Sequence, residues 1–420
     1  MSRNYKQFHK KRRVLWSLVV ILVISLILLC GAFLMSHRSA TTVYRPTTSV
    51  EPRGPSFEIS TTTLRGRKLI DLNLTAIHPT ITEHVAEVMA QSSKVFAYAH
   101  GTVAADGKLF IGMAANSANH FPSNELVVFG DASDISRPTL ITMPASGEIE
   151  TMTYDRTNDR VYIELSGNKA LKIYAMNPHN YFMWTLASTS AIDAGRKPAI
   201  VSDGTYVYGI TNTTPSTVFR VKIQGGELAT SSIGHIRNGH SASIASFAGA
   251  NVATTTELYF GGGMSDEFEK VDALTLASLG TVKISPCGMT DDMPYAPSTQ
   301  GTFGYVYVGC EMVPYGIRIK TSDMSFERFV LPGGSLGMFA YGDDIYNAAE
   351  DGRIDIFPKG NLEQLHRYRI IDIKEPIDTK GQDLEVNEIL YSPQNDGLYV
   401  TGWYGVEGLY RVSTSASDIQ

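Results

Sequence analysis

From Lys94 onward, short runs of β-branched and aromatic residues alternate with turn residues. Within the runs, apolar and polar positions tend to alternate, which is typical of half-buried β-strands. Seven runs share this form: 108–112, 160–164, 205–209, 257–261, 304–308, 344–347 and 397–401. The pattern predicts an all-β fold for this part of the chain.

Tight polar turns precede most of the seven runs, for example Asp106-Gly107 and Asp203-Gly204. Asn, Asp and Gly tolerate the positive φ that such turns require. From turn to turn the repeat averages about 48 residues, which is the length of a four-stranded propeller blade. A third strand follows each run, as at 170–174 and 353–357. The sequence therefore predicts a seven-bladed β-propeller of four-stranded blades.

The end of the repeat array predicts how the ring closes. The last repeat stops after its third strand, 408–412, so its outer strand is expected from residues before the first repeat. Segment 68–72 is the candidate, because a strand from each terminus leaves no open sheet edge at the seam. Residues 80–91 instead predict a short helix, since apolar residues recur there at helical spacing behind a proline: Ile81, Val85, Val88 and Met89.

The repeated form of a polar turn, an aromatic second strand and a third strand ending in a polar turn resembles the seven-bladed propellers grouped as YVTN-like or quinoprotein-like. The resemblance covers residues 65–415. The Trp-Asp endings of WD40 repeats and the double-glycine series of kelch repeats are absent from it. The resemblance implies the fold, and it identifies no residue of this chain as functional.

The first 63 residues differ from the rest. Run 14–35 carries no charge and is long enough to cross the roughly 30 Å hydrocarbon core of a bilayer as a helix. Six Lys and Arg residues lie in the preceding tail, 1–13, and the positive-inside bias places that tail in the cytoplasm. Residues 36–63, rich in Ser, Thr and Pro, predict a stalk. The propeller domain, 64–415, is then expected outside the cytoplasm of a single-pass cell-membrane protein. A cleaved signal peptide is the alternative.

Charge narrows the classes of partner. The chain has 36 basic and 42 acidic residues, a formal net charge of −6. With the six basic residues of the N-terminal tail set aside, 30 remain against 42 acids, so the outer part carries about −12. Nucleic-acid binding is not expected, because it depends on clustered Lys and Arg. Cations, protein, peptide and carbohydrate partners remain compatible with the charge.

Two of the three cysteines, Cys287 and Cys310, lie in the predicted outer domain. A pair of cysteines in an oxidising compartment suggests a disulfide. Two separately buried thiols are the alternative. The third, Cys30, falls within the predicted membrane span.

In an antiparallel blade, the start of the first strand and the end of the second lie at one end of the sheet, and the tight turns lie at the other. Ligand sites need convergent polar groups in a concavity, which the mouth of a propeller supplies. The candidates that this topology places at the first end are His100, His120, His240, Asp292, Glu350, Glu385, Trp403 and Tyr404.

Each candidate residue can be explained by a function or by an ordinary structural role. His240 can act as an acid or base or bind a metal, or it can be an ordinary loop hydrogen-bonder. The acidic pairs can ligate Ca²⁺ or another divalent metal through their oxygens, or be solvated only; they are Asp291-Asp292, Asp266-x-x-Glu269 and Glu350-Asp351. Trp403 and Tyr404 can stack on a sugar or pack between blades.

Two functions follow from these features. The first is a binding or protein-interaction module whose ligand the sequence does not identify. The alternative is a propeller enzyme of the lyase or oxidoreductase type, in which His240 acts with nearby acids and a divalent metal or a quinone. The sequence contains no Gly-x-Ser-x-Gly elbow, no His-Glu-x-x-His and no P-loop, so hydrolysis by a nucleophile is not indicated.

Overall fold

The computed structural model describes residues 63–64, 67–68, 76–91, 99–104, 106–113, 124–131, 134–166, 169–195, 198–233, 236–237, 239–246, 256–262, 265–284, 287, 295–296, 304–311, 313–371, 385–392, 394, 397–403 and 408–413. Within these residues every regular element is a strand, and no helix is long and apolar enough to cross a membrane. The predicted span, 14–35, lies outside them. A short hairpin of β1 (Thr63–Leu64) and β2 (Arg67–Lys68) belongs to a structural unit separate from all later strands.

The strands of the larger unit fall into groups that we call blades 1 to 7. Blade 1 has β4 (Ala99–Val103), β5 (Leu109–Met113), β6 (Glu125–Phe129) and β7 (Thr139–Thr142). Blade 2 has β8 (Glu148–Asp155), β9 (Arg160–Ser166), β10 (Leu171–Met176) and β11 (Met183–Thr189). Blade 3 has β12 (Ala199–Ser202), β13 (Tyr206–Ile210), β14 (Ser216–Lys222) and β15 (Leu228–Ile233). Blade 4 has β16 (Gly239–Ser246), β17 (Thr256–Gly262), β18 (Ser265–Asp272) and β19 (Ser278–Lys283).

Blade 5 has β20 (Tyr295–Ala296), β21 (Tyr305–Gly309), β22 (Tyr315–Lys320) and β23 (Phe326–Val330). Blade 6 has β24 (Gly337–Tyr341), β25 (Asp344–Ala348), β26 (Arg353–Pro358) and β27 (Gln364–Ile371). Blade 7 has β28 (Glu385–Ser392), β29 (Gly397–Trp403) and β30 (Gly408–Ser413). All seven runs predicted from the sequence form the second strand of a blade, so the all-β prediction is confirmed.

Each blade is an antiparallel meander in which chain order equals strand order. We call the end where the first strand turns into the second, and the third into the fourth, the turn end. The opposite end, where the second strand leads to the third and the fourth to the next blade, is the loop end. The turn residues behave as predicted from their types: Gly107, Asp159 and Gly204 have φ of 81°, 50° and 88°.

The blades form a closed ring. The first strands of neighbouring blades contact each other, β21 takes that role between blades 5 and 6, and β28 of blade 7 contacts β4 of blade 1. Buried apolar side chains fill the space between neighbouring blades, as where Tyr162 and Ile173 of blade 2 pack with Val207 and Phe219 of blade 3. At the closing contact, Gly101 donates its backbone N–H to both carboxylate oxygens of Glu388, at 3.0 and 3.1 Å. This ring of small sheets is a β-propeller.

The predicted helix at residues 80–91 is wrong, because these residues form strand β3 (Thr80–Gln91). Its first part pairs in parallel with β27, from Thr80 to Glu87, and its last part pairs antiparallel with β30, from Glu87 to Gln91. One strand thus joins blades 6 and 7 in a single eight-stranded sheet. The burial explains the error, since Ile81 and Met89 of the supposed apolar stripe are 41% and 59% exposed, whereas Ala86 is buried.

Ring closure by an N-terminal strand is confirmed, but the segment predicted for it is wrong. The fourth strand beside β30 is the end of β3 rather than residues 68–72. Pairing on both sides leaves neither β27 nor β30 with an open edge along β3, which is the physical benefit expected of such a closure.

The third and fourth strands of blades 2 to 5 are joined by the same six-residue turn. In each, the fifth residue donates its N–H to the carbonyl of the first, and the first donates to the carbonyl of the sixth, at 2.8 to 2.9 Å. The fifth residue has a positive φ of 58 to 68° in all four blades: Tyr181, Gly226, Leu276 and Met324. A non-glycine residue pays for this backbone conformation with some strain. The turns are therefore equivalent positions at which the blades can be compared.

Candidate functional site

The backbone of five of the eight predicted site residues is described, and all five lie at the loop end. His100 lies in β4, His240 in β16, Glu350 directly after β25, Glu385 at the start of β28 and Trp403 at the end of β29. Glu385 and Trp403 are register partners on neighbouring strands, so the structure brings these two positions together. His120, Asp292 and Tyr404 lie outside the described residues.

Three first strands contain a register shift near their loop ends. The shift in β8 leaves Glu150 as the extra residue, the shift in β16 leaves His240, and the shift in β28 leaves Asn387. A bulge bends the strand and re-aims a side chain, and bulges are enriched beside active sites. His240, selected from the sequence for its residue type, therefore occupies one of three backbone irregularities on the inner strands.

Blade 2 holds a carboxyl that sequence reasoning missed. Glu164, near the loop end of β9, is completely buried, and neither carboxylate oxygen has a hydrogen-bond partner among the described residues. Burial raises its pKa well above the ordinary value, and the nearby Glu150 carboxylate raises it further. The signal available in the sequence was an acid between the apolar residues Val161-Tyr162-Ile163 and Leu165, because a buried strand does not ordinarily contain an acid.

Blade 6 holds a second buried acid, within a network of charges. Asp355 is fully buried and accepts a 3.3 Å hydrogen bond from the Asn347 side-chain amide. Arg367 lies 3.6 Å from Asp355 and forms an ion pair with Asp351. Burial raises the pKa of Asp355 to about 7, Asp351 adds to the rise, and Arg367 opposes it. The predicted Glu350 precedes this network, is itself buried, and donates its N–H to the carbonyl of Gly333.

Blade 4 holds a third acid of this kind in the third strand. Glu269 is fully buried and accepts a 2.7 Å hydrogen bond from the Thr281 hydroxyl. Nearer the turn end of the same blade, Glu257 pairs with Lys270 at 2.8 Å. Buried acids thus recur in blades 2, 4 and 6. No group of three or more His, Cys, Asp or Glu side chains in the described part of the chain has a metal-binding arrangement.

Cys287 and Cys310 form a disulfide in the structure. Cys287 follows β19 and Cys310 follows β21, and both are fully buried. The bond closes a loop across the loop ends of blades 4 and 5, with Cα atoms 5.0 Å apart. Asp266 accepts a 2.8 Å hydrogen bond from the Cys287 N–H and so fixes the same corner. A cross-link over this loop length contributes about 3 kcal/mol in the chain-entropy account.

The turn end carries a polar row that sequence reasoning did not predict. The imidazole of His179 lies 2.6 Å from the Asp159 carboxylate and 3.4 Å from that of Asp106, and Lys108 binds Asp106 at 2.7 Å. Two blades contribute to this row. Asp106 was expected only to form a tight turn, and its contact with His179 depends on the packing of blade 1 against blade 2.

Comparisons with known proteins identify a fold and no family. No protein-family model matches the chain, and no curated protein sequence matches it. Many solved structures do match in fold. A chain of the mitotic checkpoint complex aligns with a TM-score of 0.56 at 10% identity over 82% of this chain and 98% of that one.

The other two come from different systems. The WD40 domain of Pan2 from Neurospora crassa aligns with a TM-score of 0.54 at 10% identity, over 77% of this chain and 91% of that one. Hydrazine synthase from Kuenenia stuttgartiensis aligns with a TM-score of 0.56 at 12% identity, over 77% of this chain and 97% of that one. At such identities the likeness establishes the propeller fold alone.

Proposed function

We propose that this chain is a membrane-anchored, extracytoplasmic seven-bladed propeller that acts as a binding module, with its ligand held at the loop end. The observation that carries the proposal is the set of bulges in the first strands of blades 2, 4 and 7, at Glu150, His240 and Asn387. Bulges are enriched beside active sites, so three of them at one end of the inner strands support a functional role for that end.

Buried acids support the same location. Glu164 and Asp355 lie toward the loop end of blades 2 and 6, and burial raises the pKa of both. A perturbed carboxyl costs stability, and such groups cluster at functional sites. The loop end therefore combines backbone irregularity with buried carboxyls whose pKa is raised, as expected of a recognition surface.

Membrane anchoring rests on the sequence, through the uncharged run 14–35 and the basic tail before it. The Cys287–Cys310 disulfide supports an oxidising compartment for the propeller. Protease added to the outside of intact cells or spheroplasts should cut within 36–63 and release a fragment of nearly propeller size. A propeller that stays protected contradicts the anchor as drawn.

A ligand screen by thermal shift, run on the purified full chain with parallel metal analysis, tests the binding function. We expect a ligand that raises the melting temperature of the wild-type protein, and a dissociation constant at least about tenfold higher in His240→Ala. The control is Asp203→Ala at the turn end. Equal effects of the two substitutions would place the ligand elsewhere, and stoichiometric metal with turnover of a screened compound would favour the enzyme alternative.

A further inference from the structure

Two exposed aromatic rings lie side by side at the turn end of blade 2. Phe182 and Trp184 are 65% and 38% exposed, their ring centroids are 6.2 Å apart, and their planes differ by 29°. They precede or lie in β11, the outermost strand of the blade. We call this pair the aromatic platform. Large exposed aromatic groups on one surface mark binding sites more often than scattered apolar residues do.

The fold does not require aromatic residues at these positions. Phe182 is the sixth residue of the turn that recurs in blades 2 to 5, and its counterparts are Glu227, Ala277 and Ser325. Two residues further along, the counterparts of Trp184 are Ala229, Leu279 and Glu327. The same turn thus forms with small, aliphatic and charged residues at these positions, so the two aromatic rings need an explanation outside turn geometry.

A row of polar side chains continues from the platform. The Arg160 guanidinium lies 5.5 Å from the centre of the Trp184 ring, and Arg160 donates a 2.6 Å hydrogen bond to the carbonyl of Asp159. The Asp159 carboxylate lies 2.6 Å from the His179 imidazole. His179 in turn contacts Asp106, which pairs with Lys108. Arg160 and Lys108 carry positive charge and Asp159 and Asp106 carry negative charge, so the row offers hydrogen-bond donors and acceptors with little net charge.

The edge of β11 is a poor template for an added peptide strand. Its register against β10 shifts between Ile173 and Tyr174, which leaves Leu186 as an extra residue on β11. Bulges on edge strands interrupt the row of backbone groups that a pairing strand would use. A ligand at this surface must therefore use the rings and the polar side chains.

We propose that the aromatic platform and its polar row bind a neutral oligosaccharide. Sugar rings present apolar C–H faces that stack on aromatic rings, and their hydroxyl groups both donate and accept hydrogen bonds. An anionic or cationic ligand would meet a like charge at Asp106 and Asp159, or at Lys108 and Arg160. A neutral polyhydroxyl ligand meets no like charge, which fits a row that carries both positive and negative groups. This surface is at the opposite end from the proposed loop-end site and does not depend on it.

The test screens the purified full chain on an array of neutral glycans, followed by calorimetric titration with the soluble oligosaccharides retained. We expect Trp184→Ala to raise the dissociation constant at least about tenfold, and Phe182→Ser to raise it about three- to tenfold. Leu279→Ala is the matched control, because Leu279 holds the corresponding place after the turn in blade 4 and is 51% exposed. It should bind as the wild type does.

Absence of binding to every neutral glycan on the array overturns the proposal, as does wild-type affinity in Trp184→Ala. A screen of extended peptides runs in parallel with the same variants. Peptide binding that Trp184→Ala abolishes, without glycan binding, would also overturn the proposal and make the platform a peptide surface. The loop-end variant His240→Ala should bind glycan normally, which keeps this test separate from that of the proposed function.

Discussion

At the turn end of blade 2, the buried carboxylate of Asp155 accepts hydrogen bonds from the backbone N–H groups of Thr157 and Asn158, the Asn158 amide and the Ser202 hydroxyl, at 2.7 to 3.2 Å. At the loop end of the same blade, the buried carboxyl of Glu164 has no partner among the described residues. Both side chains belong to the two inner strands, so their difference does not come from depth in the ring.

The turn-end acid has a structural purpose. It closes the tight turn and, through Asn158, which donates a 2.7 Å hydrogen bond to the carbonyl of Gly204, it attaches blade 2 to blade 3. The loop-end acid satisfies nothing that the fold needs and costs free energy of desolvation. Asp155 is thus a polar group that stabilises the ring, and Glu164 is one that destabilises it. Groups of the second kind are the better guide to function.

Replacing Asp155 with Ala should produce the largest effect. It removes the acceptor of four part-buried hydrogen bonds at a contact between blades, so the free energy of unfolding should fall by about 3 kcal/mol. Urea unfolding measures it. Asp323→Ala is the control, since Asp323 also accepts turn hydrogen bonds, from Ser325, but is exposed. Equal losses in the two variants would show that the contact between blades adds nothing.

Replacing Glu164 with Gln should have the opposite sign at neutral pH. Its folded pKa is raised, so the folded state holds a proton that the unfolded chain loses above the ordinary value of 4.5. Wild-type stability therefore falls as pH rises past that value, and a neutral Gln does not follow it. The variant should gain about 1 kcal/mol or more on the wild type between about pH 5 and about pH 8. A pH-independent difference would contradict the buried, unpaired carboxyl.

A smaller effect of the same sign is expected for Asp355→Asn, because Arg367 and the Asn347 amide offset part of the cost of burial. The folded pKa of Asp355 is about 7 against an ordinary value of 3.8, so wild-type stability should decline as pH rises through this window. The variant should show a flatter profile in chemical unfolding at several pH values. A profile unchanged from the wild type would mean that Asp355 ionises normally in the fold.

The repeat could be predicted from the sequence because each blade has the same local pattern, a polar turn followed by a strand of alternating apolar and polar residues. Strand β3 was not, since its neighbours β27 and β30 are supplied by the far end of the chain. Its first part pairs with β27 on one edge and its last part with β30 on the other, so burial follows the two blades and not the spacing of Ile81, Val85 and Met89. Local periodicity cannot reveal a strand whose partners are remote.

Topology alone placed the candidate residues at the loop end, and five described positions lie there. The bulge at His240 could not be foreseen, because it is a property of pairing with β17. The row through His179 was missed for a related reason: Asp106 and His179 come from different blades and meet only when the ring packs. That the side chains of the loop-end candidates converge at the mouth of the propeller to form one site stays a prediction.

Replacing the exposed ring of Phe182 at the turn end should change stability least. Phe182→Ser places at the sixth position of the blade 2 turn the residue that blade 5 has there, Ser325. The ring is 65% exposed, so little apolar burial is lost, and the free energy of unfolding should stay within about 0.5 kcal/mol of the wild type. The same substitution at Phe219, which is fully buried between blades, should cost more than about 3 kcal/mol. Urea unfolding of the two variants side by side decides the matter. A large loss in Phe182→Ser would show that the ring packs as part of the fold, and the aromatic platform would then be structural, as Asp155 is at the same end of blade 2.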